Sequence, residues 1–216
     1  MRITKLGTVF IFIFFFGGVI FANTPIDTII NLKEIVVKPH IFNIIQPKTK
    51  RSAIKLSGKI NCSIVSSVQI NKDKTYRIYG VEFYFNPHTK GIVNNGFYVK
   101  PLLLFAKNGK PSTNILDNKT TYYIDKKINT KFLFDLSNYN IVLEDLNLFF
   151  VGLSFPDINE SKDLYTFNIK MKESKNKNYF TFIRHNCEEC PYTQFYLSNK
   201  KTRTLDYKVY YTEVIE

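Results

Sequence analysis

Tryptophan is absent from the 216 residues, and cysteine, histidine and methionine are scarce, with three, three and two copies. The second C-x-x-C pair that makes a structural zinc site legible is missing. So are a G-x-S-x-G nucleophile elbow, a glycine-rich phosphate loop and a D-x-D-x-D-G calcium loop. Serine hydrolysis of that type, nucleotide chemistry and loop-bound calcium therefore have no motif to stand on. Acidic residues are in deficit, 18 against 30 lysines and arginines, for a net charge of +12. Helical periodicity is lacking too: no long stretch places apolar residues 3.6 apart, and no internal repeat is visible.

What is present begins with a leader. Arg2 and Lys5 precede an apolar run from Leu6 to Phe16, followed by Gly17-Gly18 and Ile20-Phe21-Ala22. Two positive charges, a phenylalanine-rich segment that partitions into a bilayer and a small residue at its end are the layout of a signal peptide cut before Asn23. Leu6 to Ala22 also approaches the shortest spanning helix, so an uncleaved anchor is the alternative, and the only membrane contact expected. No cysteine follows the run, which argues against lipid attachment. The expected location is outside the cytoplasm, periplasmic or at the cell surface. Cleavage removes Arg2 and Lys5 and leaves a charge of about +10. The basic residues are spread along the chain, densest at Lys48, Lys50, Arg51, Lys55 and Lys59 and next at Lys170, Lys172, Lys175 and Lys177. A nucleic-acid partner needs them clustered with aromatic platforms and is not expected. Anionic polysaccharide or lipid headgroups suit an exported basic surface better.

Residues 23–59 read as an irregular N-terminal arm with one or two short strands, the β-branched run Ile35-Val36-Val37 and the stretch Ile41 to Ile45 bracketed by Pro39 and Pro47. Residues 60–216 read as one β-domain. Val81, Phe83 and Phe85 alternate with Glu82 and Tyr84 in the period of a half-buried strand. Phe97 to Ala106 is an apolar strand ended by Asn108-Gly109-Lys110-Pro111. Thr120 to Ile124, Lys131 to Leu136, Ile141 to Leu143 and Phe149 to Phe155 follow, the last continuous enough for a central strand in which Gly152 permits close packing. Leu164 to Met171, Tyr179 to Ile183, Gln194 to Leu197 and Leu205 to Val214 complete the series. Short strands separated by Asn, Gly, Pro and Lys predict an all-β, antiparallel β-sandwich.

The residues Phe105-Ala106-Lys107-Asn108-Gly109-Lys110-Pro111-Ser112, then Phe134-Asp135-Leu136-Ser137 with Tyr139-Asn140-Ile141-Val142, then Phe149-Phe150-Val151-Gly152-Leu153, resemble a jelly-roll-like β-sandwich of exported Bacteroidota proteins. The resemblance covers about residues 76–155 and implies fold and export without supplying a site. Leu32-Lys33-Glu34-Ile35-Val36-Val37 is similar to the strand that ends carboxypeptidase-regulatory-like domains of the same bacteria. The remainder of such a domain has no counterpart ahead of it, so that resemblance is to a stub.

Cys187-Glu188-Glu189-Cys190, with His185 upstream and Cys62 far off in sequence, is the most suggestive constellation. A redox dithiol wants a helix N-terminus, whereas a strand precedes this pair and two glutamates lie inside it. Zinc could take Cys62, His185, Cys187 and Cys190 as four ligands. A structural disulfide among Cys62, Cys187 and Cys190 is the plainer reading for an oxidising compartment, and the pairing stays open. His40, His88 and His185 share no context. Glu82, Asp135, Glu144, Asp145 and Asp157 could supply a carboxylate pair only if the fold converges two of them. Tyr192, Tyr196, Tyr207, Tyr210 and Tyr211 gather near the C-terminus as a candidate sugar-stacking or protein-contact surface, though strand-face tyrosines are also ordinary core and surface residues. No catalytic residue and no cofactor is expected. The chain reads as a non-catalytic binding or structural module of the cell envelope, with a glycan or protein partner; an envelope hydrolase with a carboxylate-based site is the alternative.

Overall fold

A computed structural model describes residues 29–30, 42–48, 51–59, 62–85, 96–116, 120–125, 131–156, 166–174, 179–185, 190–195 and 202–214. The leader, most of the arm, His40, His88, Asp157, Cys187 and Tyr196 lie outside them. The strands among these residues are β1 (Ile29–Ile30), β2 (Asn43–Ile45), β3 (Arg51–Lys59), β4 (Cys62–Gln69), β5 (Thr75–Tyr84), β6 (Gly96–Lys107), β7 (Lys110–Asn114) and β8 (Thr121–Asp125). They continue as β9 (Lys131–Asp135), β10 (Ile141–Leu143), β11 (Leu148–Phe155), β12 (Thr166–Ser174), β13 (Thr181–His185), β14 (Thr193–Gln194), β15 (Thr202–Leu205) and β16 (Tyr207–Val214). One 3₁₀ turn, Ser137–Tyr139, interrupts them.

The larger sheet runs β1-β8-β6-β11-β4-β13-β14, with β7 also on β6. A five-stranded sheet runs β10-β5-β16-β2, with β9 also on β5, and a three-stranded one runs β15-β12-β3. Every pair is antiparallel except β1 with β8. The last two sheets are joined by one chain. At Asp206 the strand passing from β15 to β16 changes partners, its N–H donating to the Lys170 carbonyl and its own carbonyl accepting the Tyr84 N–H. We call these two together the smaller layer.

Alternation decides what lies between the layers. Val81, Phe83 and Phe85 on β5 and its continuation, Phe132 and Phe134 on β9, and Leu205, Tyr207 and Val209 face Ile64, Val68, Leu103, Phe149, Val151, Leu153 and Phe155 of the larger sheet. Phe83 and Phe134 meet edge to face at 6.0 Å, as do Phe85 and Phe97 at 5.4 Å. The all-β sandwich expected from the sequence is the fold. Phe149 to Phe155 is its central strand, with β4 on one side and β6 on the other. Gly152 is there because a Cβ would strike the Ile64 carbonyl oxygen and come within 2.6 Å of Val65 Cα. Asn108 and Gly109 both take positive φ, 53° and 73°, the two-residue turn whose twist suits a hairpin, so Lys110 and Pro111 already belong to β7.

Two expectations are corrected. Lys48 to Lys59, read as unpatterned arm, contains the nine-residue strand β3, which pairs with β12 along its length. Its lysines hid it, because cross-strand pairing needs no apolar alternation on a strand that pairs along one edge. The strand foreseen from Val81 also begins earlier, at Thr75, and carries a bulge opposite Tyr210 and Tyr211.

Several polar groups inside the sandwich are paired. The Thr181 hydroxyl donates to the Arg203 carbonyl at 2.7 Å, so the hydrogen in its 2.7 Å contact with Ser66 comes from Ser66. Ser66 Oγ in turn accepts the Leu205 N–H at 2.9 Å. Tyr207, fully buried, donates its phenol to the Ser67 carbonyl at 3.0 Å. These bonds tie β4 and β13 to the strand crossing opposite them.

Candidate functional site

The outward face of the smaller layer carries the densest grouping of functional side chains. Lys208 stands opposite Glu82, and Tyr210 opposite Gly80 on one side and Ile44 on the other. The bulge at Tyr210/Tyr211 leaves Tyr79 as an extra residue on β5. Its ring lies 4.8 Å from Phe42, which in turn meets Tyr210 edge-on at 6.4 Å. Thr212 Oγ1 reaches the Tyr79 hydroxyl at 3.4 Å. Phe42, Tyr79 and Tyr210 are half-buried, and Ile44 beside them is 47% exposed. Val142, opposite Arg77 at the far edge, is 41% exposed.

Next to this aromatic patch lies a charged one. Tyr84 donates to Glu82 at 2.6 Å, and Lys208 Nζ is 3.4 Å from the same carboxylate oxygen and 5.5 Å from the Tyr84 ring centre. Burial, then the bond to Glu82, raises the Tyr84 phenol above its usual range. Contact with the Tyr84 phenol, and then the attraction of Glu82, holds the Lys208 ammonium well above the ordinary lysine range against the opposing pull of burial. Asp206, opposite Tyr84, is paired with Lys172 at 2.6 Å. Glu82 and Asp206 are both buried, and each is engaged by a lysine.

The sequence-based candidates scatter. Cys62 faces the core, 7% exposed, and burial pushes its thiol up to about 12, which disfavours the thiolate that a metal ligand or redox nucleophile needs. His185 is directly opposite it in register but exposed at the strand end, and Cys190 is half-buried. Among the described residues no three His, Cys, Asp or Glu side chains come together as a metal site. The five tyrosines do not form one surface. Tyr207 is core, Tyr211 packs against that core, Tyr210 faces outward, and Tyr192 lies on the other layer. The physical reason is the two-residue period, which sends Tyr207 and Tyr211 inward and Tyr210 outward. Of the carboxylates, Asp135 accepts the Ser137 N–H at 2.9 Å, while Glu144 and Asp145 are exposed in the turn after β10. Asp206, Tyr79 and Phe42 were not singled out in the sequence. Gly80 was the available signal, since glycine within a strand marks a bulge or a close approach, and a Cβ there would lie 3.0 Å from the Phe134 carbonyl.

No family model, curated protein or solved structure matches the chain. No helix among the described residues is long and apolar enough to cross a membrane.

Proposed function

We propose that this chain is an exported, non-catalytic binding or structural module of the cell envelope, and that it engages its partner through the outward aromatic face of the smaller layer. The observation that carries the reading is the half-exposed grouping of Phe42, Tyr79 and Tyr210 beside the exposed Ile44. Aromatic rings with a polar edge give large contact area at low entropic cost, whether to sugar rings or to a protein. Export is supported by the leader-like N-terminus and by the resemblance to exported sandwiches. The hydrolase alternative rests on Glu82 and Asp206 sharing a face, but both are occupied by lysine and tyrosine partners. The test is a binding screen of the protein against acidic and neutral polysaccharides and an envelope extract, with product analysis of every polysaccharide. Saturable binding lost in Tyr79→Ala/Tyr210→Ala, with no cleavage, is expected. Cleavage abolished by Glu82→Gln would establish the hydrolase instead.

A further inference from the structure

On the outward face of the smaller layer one guanidinium stands apart from the paired charges. Arg77 on β5 is exposed and has neither a hydrogen bond nor an ion pair among the described residues. Lys172 and Lys208, further along the same face, are each held by a carboxylate. The register explains the difference. Arg77 lies opposite Val142 on β10 and Thr212 on β16, and the residues two places away on its own strand are Thr75 and Tyr79. All four are uncharged, and three of them carry hydroxyls.

The aromatic patch adjoins this cation. Thr212 donates to the Tyr79 phenol oxygen at 3.4 Å, which leaves the hydrogen of that phenol available to a ligand. The Tyr79 ring lies against Phe42, and Phe42 against Tyr210. Strands stand about 4.8 Å apart and successive residues of one face about 7 Å apart, so Arg77, Thr212 and Tyr79 fall within the reach of one sugar residue. Two carboxylates border the area. Asp135, opposite Gly80, turns one oxygen to the Ser137 N–H, and Glu144 follows the end of β10; neither pairs with Arg77.

We infer that Arg77 is the anion-binding point of the aromatic face, and that the ligand is a polysaccharide containing uronic acid. A sugar carboxylate sits on the guanidinium, its ring hydroxyls meet Thr212 and Tyr79, and the neighbouring sugar lies over the rings of Tyr79 and Tyr210. A guanidinium presents a planar fork of N–H donors that matches a carboxylate two to two, and an Arg77 without an internal anion gives up no bond to take one. The hydroxyls around it suit a ligand that is itself rich in hydroxyls, and the net charge of +12 draws a polyanion toward the surface. This assignment rests on the aromatic face being the binding face and adds to it the class of ligand and the residue that reads the acid.

The test uses the protein purified from cells expressing the full chain, titrated calorimetrically at about 0.15 M salt. The probes are an oligogalacturonate and a hyaluronan oligosaccharide, each also in the form whose carboxyl groups have been reduced to alcohols. At least one acidic form should bind roughly ten-fold tighter than its reduced counterpart. Arg77→Ala, at an exposed position, should leave the melting temperature unchanged and erase that preference, so that both forms bind alike. Lys107→Ala removes equal charge from the other layer and should change nothing, while Tyr79→Ala/Tyr210→Ala should lose both forms. Binding of acidic and reduced forms alike, still lost in the Tyr79/Tyr210 variant, would overturn the role of Arg77 and leave the aromatic face standing as the binding face. An acid preference that survives Arg77→Ala, an equal loss in Lys107→Ala, or no binding of either acidic oligosaccharide would also overturn it.

Discussion

The two outward faces of this sandwich are built from similar strands but obey opposite rules. On the larger sheet, Val65, Leu104, Phe150 and Phe182 are nearly as buried as the true core, and Phe150 meets Phe182 edge to face at 5.5 Å. Ala106, Leu148, Phe180 and Tyr192 pack against them. On the smaller layer the corresponding positions are Glu82, Tyr84, Lys208 and Tyr210, held by charge and hydrogen bonds. The first face contributes to stability as a second apolar cluster; the second presents the half-buried Tyr84, Lys208 and Tyr210 around the buried Glu82 and Asp206. A central strand such as β11 is therefore apolar on both sides over most of its length, whereas β5 and β16 place apolar residues inward and polar or aromatic ones outward on either side of the bulge.

The sharpest way to break this contrast is to truncate one aromatic on each face. Phe182→Ala should cost about 3–5 kcal/mol in urea unfolding, whereas Tyr210→Ala should cost about 1 kcal/mol or less; equal losses would erase the distinction. Between the faces, Cys62 makes the buried environment measurable through pH. Its folded pKa of about 12 exceeds the ordinary 9.0, so its stabilisation is complete below pH 9 and is lost as pH climbs toward 12. The unfolded chain gives up the proton first, and stability should fall by up to about 1.4 kcal/mol per pH unit in that window. Cys62→Ala should flatten the slope in chemical denaturation, and an unchanged slope would show that Cys62 is not sealed in.

On the charged face, Glu82→Gln leaves Lys208 without its anion. Because Lys208 is about a third exposed, the loss should be about 1–2 kcal/mol rather than the full cost of an orphaned buried ion. A smaller effect concerns the bond joining the layers: Tyr207→Phe should cost about 1 kcal/mol by removing the donor to the Ser67 carbonyl. Both are read from thermal unfolding of variant and parent.

Much of this architecture was legible in the sequence. The alternation of Val81, Glu82, Phe83, Tyr84 and Phe85 and the continuous run from Phe149 are legible because burial on one face or on two leaves a direct trace in residue order. Strand β3 was not legible, since its lysine-rich pattern carries no such trace. The aromatic site was half legible. Tyr210 was flagged, but its neighbours Phe42 and Tyr79 come from strands remote in sequence, and Tyr79 reaches them only through a bulge. Adjacency in sequence grouped Tyr207 with Tyr210, while strand geometry sends them to opposite sides. Cys62 and His185, two of the four residues grouped as zinc ligands, are opposite in register, and Cys62 is buried there.

The most direct test of the account is one titration series in which the parent protein, Tyr79→Ala/Tyr210→Ala and the core variant Tyr207→Phe are compared against the same panel of envelope glycans and proteins, with melting temperatures recorded alongside. The account predicts that the Tyr79/Tyr210 pair abolishes binding while its melting temperature moves little, and that Tyr207→Phe leaves binding intact. Binding retained in the Tyr79/Tyr210 variant, or lost only where the protein has also unfolded, would contradict it.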